Sequence, residues 1–145
     1  MKKAKYIIAM VTLLSLSISQ FAFAATSTTP IKNKSGSTVG TLTVTAGTVY
    51  KSGGSGGADI FDCTVDATTT VTCTKITIWG RSFNSTTGVQ NTITETTSSN
   101  NAKSCTMIFP AMYSYYDSVK GTTTCNYSDG YYYQVSTTAK CDGGW

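Results

Sequence analysis

Five cysteines and the complete absence of histidine limit the chemistry open to this chain. Without an imidazole, neither a Ser-His-Asp nor a Cys-His catalytic arrangement can be assembled, and no histidine metal site can form. No two cysteines are spaced as CxxC, so neither a zinc site nor a dithiol redox catalyst is indicated. We therefore expect no metal, no cofactor and no enzymatic activity.

Carboxylates are the remaining candidates for acid–base chemistry. Asp59 and Asp62 lie near the glycine-rich segment 51–57, and Asp66 follows closely. Carboxylates among glycine and threonine are usually solvated turn formers, and nothing pairs these three across a cleft. The glycine-rich segment lacks the Gly-Lys-Ser/Thr ending of a phosphate-binding loop. A small hydrolase that uses these carboxylates is the least favoured alternative.

Tyrosines are concentrated in the last third of the chain, and a tryptophan ends it. A phenol ring combines a flat apolar body with a hydroxyl group, which suits it to sugar faces and protein surfaces. The same rings can instead fill the core of a domain that is short of leucine, so both interpretations stay open. The candidate ligand-binding residues are Tyr113, Tyr115, Tyr116, Tyr131, Tyr133 and Trp145.

The first 24 residues have the three parts of a cleavable secretory signal. Three lysines precede an apolar run over residues 6–18, and the small-x-small pattern at 22–24 predicts cleavage between Ala24 and Ala25. The run is shorter than the roughly 20 residues that a membrane-spanning helix needs. We expect a bacterial exported protein, periplasmic or extracellular, with no membrane span in the mature chain.

Cleavage of the signal also changes the charge of the protein. Three of the eleven basic residues leave with it, so eight bases and seven acids remain, a net charge of +1. The remaining charges are scattered, and no basic stripe is present to neutralise phosphates. We expect no nucleic-acid partner.

An oxidising compartment favours disulfide bonds among the five cysteines. Because five is odd, at most two bridges can form within one molecule. The preferred bridges are Cys63–Cys73 and, from the last three cysteines, Cys105–Cys125. Cys141 is then expected to be a free thiol, through which an oligomer could be linked.

The elements that position these residues are predicted to be strands. After residue 24, the chain contains 27 threonines and no apolar stripe at helical spacing. Threonine and aromatic residues favour pleated surfaces. We predict a flexible polar segment at 25–37 and a single domain at 38–145. Its fold class is all-β, a small disulfide-bonded β-sandwich or compact β-barrel with antiparallel hairpins.

Two hairpins are predicted from local patterns. In the first, runs 61–65 and 71–75 flank a loop at 66–70, which places Cys63 opposite Cys73. In the second, Asp129-Gly130 forms a two-residue turn. That turn pairs Tyr127 with Tyr132 and Asn126 with Tyr133. A further strand at 105–109 is expected to end at Pro110.

These features favour an exported, non-catalytic binding protein. Its ligand is a glycan or a protein, and the tyrosine-rich C-terminal hairpin is the predicted contact. The alternative is a structural or surface-assembly subunit, with the polar N-terminal segment and Cys141 as linking devices.

Overall fold

The computed structural model describes residues 24–53, 56–92 and 94–141, and every regular element in them is a β-strand. The all-β class is therefore confirmed, whereas residues 1–23 of the predicted signal at 1–24, and also Trp145, lie outside the described residues. The described part contains no helix that is long and apolar enough to cross a membrane. The strands are β1 Ala25–Lys32, β2 Thr38–Lys51, β3 Asp59–Phe83, β4 Glu95–Met112, β5 Ser118–Asn126 and β6 Tyr132–Lys140.

The six strands form one antiparallel sheet that curls into a nearly closed barrel. Their order is β1-β2-β3-β5-β6, and β4 pairs with β3 along the edge that β2 and β5 leave open. The two ends of the order meet, because the hydroxyl groups of Ser27 on β1 and Thr137 on β6 lie 2.6 Å apart. The inward faces of the strands enclose a single core of aliphatic residues, aromatic rings and cysteines.

The predicted hairpin with a loop at 66–70 is wrong. Those residues continue β3 as one strand of 25 residues. Cys63 lies opposite Ala46 and Phe109, and Cys73 lies opposite Ala102, so the two cysteines do not face each other. The physical reason is the composition of the segment. Residues 66–70 contain no glycine, proline or asparagine to break the strand, and their three threonines favour its continuation.

β3 bends at a bulge instead of turning. Four residues at 69–72 lie between the β4 partners Ser104 and Ala102, so only Lys103 opposes them. Such a bulge bends a strand without ending it. The bend brings the second half of β3 over β4. A Cβ added to Gly80 would lie 2.4 Å from the ring of Phe109.

Most of the N-terminal segment 25–37, which we expected to be flexible, forms β1. Residues 25–32 pair with β2 from Ala25↔Ala46 to Lys32↔Thr38. Burial alternates along β1 and reaches a fully buried Ile31. Short polar threonines and serines disguise this alternation, because the inward positions near the rim of the sheet are only half-buried. Strand pairing with β2 supplies the backbone hydrogen bonds that hold the segment.

The turn between β5 and β6 is confirmed, but its register is not. Asn126 pairs with Tyr132 and Cys125 with Tyr133, one residue away from the predicted register. The loop contains three residues between Tyr127 and Tyr131, and Gly130 has a φ of 80°. A three-residue hairpin loop of this kind places its glycine in the left-handed region. A slip of one residue exchanges the two faces of a strand.

β4 contains the predicted strand at 105–109 and extends beyond it in both directions. Pro110 does not end β4, which continues to Met112. Among the described strands β4 pairs only with β3, and an edge strand tolerates a proline because half of its N–H groups face no partner. Burial alternates along this part of β4. Its inward side chains Cys105, Met107, Phe109 and Ala111 are buried.

Candidate ligand-binding grooves

A groove of about 410 Å³ lies at the end of the barrel where the β1–β2 loop, the β3 bulge and the β5–β6 turn meet. We call it the tyrosine groove. Its volume falls in the range of small-ligand sites. Both of its ring systems come from the β5–β6 turn, and the other side chains are mostly polar. It is lined by Asn33, Lys34, Ser35, Val71, Thr72, Tyr127, Ser128, Asp129 and Tyr131.

Each of the three segments is held in place by a side-chain-to-backbone hydrogen bond. In the β1–β2 loop, Asn33 Oδ1 accepts from the backbone N–H of Ser35 at 3.1 Å. In the bulge, the Thr69 hydroxyl donates to the carbonyl of Val71 at 2.7 Å. In the β5–β6 turn, Asp129 Oδ1 accepts from the N–H of Tyr131 at 3.0 Å. The groove is therefore largely preformed, which reduces the entropy lost on binding.

Tyr127 and Tyr131 form a stacked pair in this groove. Their ring centroids are 5.9 Å apart and their planes differ by 21°. The Tyr127 hydroxyl donates to the carbonyl of Lys32 at 3.1 Å, which fixes that ring against β1. Burial, followed by the thiols of Cys125 and Cys73, raises the pKa of Tyr127, so its hydroxyl stays a hydrogen-bond donor at neutral pH. The pair presents a flat, rigid aromatic surface.

The structure divides the predicted tyrosine cluster into separate sites. Of the predicted residues that lie in the described part of the chain, Tyr131 alone lines the tyrosine groove. Tyr113 packs on the core, edge-on to Phe61 at 6.4 Å, and Tyr133 also packs on the core. Tyr115 is exposed and contacts Tyr116 in the β4–β5 connection. The core and surface interpretations thus each apply to part of the cluster.

Sequence reasoning missed Tyr127 as a site residue. The predicted two-residue turn placed Tyr127 opposite Tyr132 and on the face away from Tyr131. The observed three-residue loop makes Tyr127 and Tyr131 its closing residues, joined by a backbone hydrogen bond of 2.9 Å. The available signal was Ser128 before Asp129-Gly130, since a third polar residue permits the longer loop.

A second groove, which we call the cationic groove, lies on the outer face of β3 and β5. Arg81 and Lys120 are directly opposed across these strands. The guanidinium of Arg81 is oriented by the Thr94 hydroxyl at 3.0 Å and by Gln90 Oε1 at 2.8 Å. Two adjacent cations beside an indole suit a planar ligand that carries an anionic group. Its lining residues are Trp79, Gly80, Arg81, Gln90, Thr94, Lys120 and Thr122.

The candidate catalytic carboxylates do not form a pair. Asp59 forms an ion pair with Lys51 at 3.4 Å, and Asp62 accepts a hydrogen bond from Tyr50 at 2.9 Å. Asp66 accepts hydrogen bonds from the hydroxyl groups of two threonines. Each of these three carboxylates therefore forms an ion pair or hydrogen bonds with side chains on a neighbouring strand or on β3 itself.

The carboxyl group of Asp117 has a pKa below its usual value. Burial alone would raise the pKa of this carboxyl group, but hydrogen bonds from Ser85 and Ser118 and the ammonium of Lys140 together hold it below its usual value. Asp117 accepts from both the N–H and the hydroxyl of Ser85. It thereby ties the loop after β3 to the start of β5, which is a structural task.

All five cysteines lie in the described part of the chain and are buried, including Cys141 at 2% exposure. None is joined to another at disulfide distance. The predicted Cys63–Cys73 bridge is wrong because both residues lie on β3. Cys141 does not lie in an exposed tail: its thiol donates to the carbonyl of Gly47 at 3.0 Å. Within the described residues, no three Cys, Asp or Glu side chains are placed to share a metal ion.

Comparison with known proteins does not assign this chain to a family. No protein-family model matches it, and no curated protein matches its sequence. The two grooves and the buried thiols therefore carry the functional inference.

Proposed function

We propose that the mature chain is an exported, non-catalytic domain that binds a glycan in the tyrosine groove. The observation that carries this proposal is the stacked Tyr127–Tyr131 pair in a groove whose three walls are held by their own hydrogen bonds. Aromatic faces bind the C–H faces of sugar rings. Asn33, Asp129 and Lys34 supply donors and acceptors at the rim for the sugar hydroxyl groups.

A glycan is favoured over a protein ligand by the size and polarity of the groove. Protein interfaces bury about 800 Å² on each partner around an apolar centre. The tyrosine groove offers two rings, one partly exposed valine and several small polar side chains. Such a lining matches a short oligosaccharide.

The test is a glycan array probed with the mature chain, followed by calorimetry on the glycans that bind. Tyr131→Ala is expected to weaken binding about tenfold, because it removes one ring of the platform. Tyr131→Phe retains the ring and is expected to keep most of the affinity. Tyr132→Ala is the matched control, since Tyr132 is its neighbour, is 63% exposed and lies outside the groove.

Three results would contradict the proposal. The first is that no glycan binds, and the second is that Tyr132→Ala weakens binding as much as Tyr131→Ala. The third is turnover of a bound glycan by the pure protein, which would make the domain an enzyme. Thermal melts of the variants establish that a loss of binding does not reflect unfolding.

The export part of the proposal is supported by the position of the cleavage site. β1 begins at Ala25, the first residue after the predicted site, so cleavage leaves every described strand intact. Expression of the full chain in a bacterium should yield protein in the periplasm or medium whose N-terminal residue is Ala25. Recovery of a chain that retains Met1 inside the cell would contradict export.

A second candidate function is a subunit of a surface assembly built from copies of this chain. Tyr50, Ile60 and Met112 are opposed in a row across β2, β3 and β4, and Ile108 on β4 is 67% exposed. An apolar outer face beside the unpaired edge of β4 suits strand addition by a second copy. Light scattering after gel filtration should then show polymers that grow with concentration and disappear in Ile108→Lys. A monomer at all concentrations removes this candidate.

A further inference from the structure

The fold sorts the five buried cysteines into two groups at opposite parts of the core. One group contains Cys73, Cys105 and Cys125, and the other contains Cys63 and Cys141. Neither grouping follows from distance along the chain. Cys63 and Cys73 are close in sequence but belong to different groups. Both lie on β3, Cys63 before the bulge at 69–72 and Cys73 directly after it.

Cys73 and Cys125 lie close together in the core. Cys125 lies on β5 opposite Ile76 of β3, three residues after Cys73, and the Cys73 thiol is near enough to contribute to the raised pKa of Cys125. Both residues have no exposed surface. Cys73 is the first β3 residue paired with β4 after the bulge, opposite Ala102, and it lies just before Lys75, where the β3–β5 pairing begins.

Cys63 and Cys141 meet beside β2. Cys63 lies opposite Ala46 across the β2–β3 pair. Cys141 follows β6 and donates its thiol hydrogen bond to the carbonyl of Gly47, the residue after Ala46. The backbone N–H of Cys141 is fixed by the carbonyl of Asp117 at 2.7 Å. The last described residue is thus held over the start of β3, with both cysteines against the same stretch of β2.

We propose that the native protein contains two disulfide bonds, Cys73–Cys125 and Cys63–Cys141, with Cys105 as the remaining thiol. Each bridge forms when two thiols lose two protons and two electrons to an external disulfide such as oxidised glutathione, which is reduced to two thiols. Disulfides require neighbouring side chains, and these pairs are adjacent in the folded chain. The inference rests on the export in the proposed function only for its oxidising compartment.

Cys105 is the member of the first group that we leave reduced. It lies on β4 opposite Ala67, and Ala67 precedes the bulge in β3. Its charge contributes less than that of Cys73 to the raised pKa of Cys125. The hydroxyl of Thr69 lies between the two strands, 3.8 Å from the sulfur of Cys73 and 3.2 Å from the carbonyl of Lys103. Cys125 is paired with Ile76, which is three residues from Cys73 but nine from Ala67, the β3 partner of Cys105, so we prefer Cys73–Cys125 and treat Cys105–Cys125 as the competing pair.

Burial determines when the bridges form. Burial, with the charges of Asp62 and Cys141, raises the pKa of Cys63 to about 12, and burial with Cys73 raises that of Cys125 to about 12. The reactive thiolate is therefore scarce at neutral pH once the protein has folded. We expect rapid oxidation during refolding and slow oxidation of the folded, reduced protein.

The test refolds the denatured, reduced mature chain in a buffer of oxidised and reduced glutathione, followed by alkylation of the remaining thiols. Trypsin and an Asp-specific protease, used together on the non-reduced protein, separate all five cysteines because cleavage occurs before Asp66 and after Lys75, among other sites. Mass spectrometry should find the linked peptides of Cys73 with Cys125 and of Cys63 with Cys141. Cys105 should carry the alkyl group.

Variants give an independent readout by intact mass. Cys105→Ala should still lose four hydrogens on refolding, and Cys73→Ala should lose only two if Cys105 does not replace it. A major Cys105–Cys125 or Cys63–Cys73 peptide, or a fully reduced chain, overturns the inference. The defined redox buffer makes this test independent of export and of glycan binding, so the proposals fail separately.

Discussion

At the scale of single residues, the chemically distinctive groups of this domain are mostly inside it. All five thiols are at most 4% exposed, and each occupies a position that an aliphatic side chain would otherwise fill. The number of cysteines can be read from the sequence, but which cysteines lie near one another cannot. That depends on the bulge at 69–72, and no residue type in that segment predicts a bulge. The tyrosines divide in the same way. Tyr131 was identifiable from composition, but Tyr127 required the register.

The raised pKa values of Cys63 and Cys125 predict how pH affects the stability of the reduced protein. An unfolded thiol ionises near pH 8.5, whereas these two ionise near 12 in the folded state. Between these values the unfolded chain binds fewer protons than the folded one, so the free energy of unfolding falls as pH rises. We expect urea midpoints of the reduced protein to decrease from pH 8 to pH 10.

The oxidised protein is the control for this prediction. Its bridged cysteines cannot ionise, so its urea midpoint should change less over the same range. Tyr127, whose pKa is raised mainly by burial, contributes to the pH dependence of both forms. Parallel pH profiles for the two forms would contradict the assignment of these thiols to the titration.

Gly121 tests how closely the two walls of the barrel approach. A Cβ added there would lie 2.4 Å from Val44 Cγ2 and 2.8 Å from Val65 Cγ1. Overpacking of this kind costs about 1–3 kcal/mol, so Gly121→Ala should lower the free energy of unfolding by that amount. Gly121→Ala with Val44→Ala should recover part of the loss if the clash is the cause. A neutral Gly121→Ala would show that the walls separate easily.

At the scale of elements, local patterns predicted the strands better than the turns. The threonine-rich composition indicated the all-β class correctly, and residues 105–109 were correctly predicted to be a strand. The turn at Asp129-Gly130 was found, since these residues favour positive φ, but its length was not. The loop proposed at 66–70 was wrong because that segment lacks strand-breaking residues, but nothing in its composition predicts the bulge that bends β3 at 69–72. The bulge is determined by long-range pairing with β2, β4 and β5.

Thr69 is the residue that stabilises the bulge in β3. Its hydroxyl, on a side chain that is 4% exposed, donates to the carbonyl of Val71 and lies 3.2 Å from the carbonyl of Lys103. Thr69→Val keeps the shape and removes the donor. Loss of a part-buried hydrogen bond costs about 0.5–1.5 kcal/mol, which chemical denaturation should detect.

Thr68→Val is the matched control for the bulge. Thr68 precedes Thr69 on β3, is exposed, and donates its hydroxyl to Asp66 at 3.0 Å. Surface hydrogen bonds of this kind contribute little, so the change in unfolding free energy should be about 0.5 kcal/mol or less. Equal losses for the two variants would show that the bulge does not depend on the Thr69 hydroxyl.

At the scale of the whole molecule, closure depends on contacts that are remote in sequence. β1 meets β6 through Ser27 and Thr137, and Cys141, the last described residue, contacts β2 through its thiol. Neither contact has a local signal, which explains why residues 25–37 were predicted to be a flexible segment and why the position of Cys141 in the core was not predicted. The composition predicted the class of the fold. The contacts of β1 with β6 and of Cys141 with β2 close the sheet into its barrel-like shape.

The two proposed bridges should therefore dominate the stability of the whole domain. Cys73–Cys125 closes a loop of about 50 residues and Cys63–Cys141 one of about 80, and each stabilises by about 4 kcal/mol in the chain-entropy model. Under oxidising conditions, the double variants Cys73→Ala/Cys125→Ala and Cys63→Ala/Cys141→Ala should each lose this amount plus the packing loss of two thiols. Cys105→Ala should lose only packing. Under reducing conditions the bridge contribution disappears, so each double variant should fall below the wild-type chain only by its packing loss. If Cys105→Ala instead loses as much as a double variant in oxidising buffer, Cys105 is itself bridged and the pairing is different.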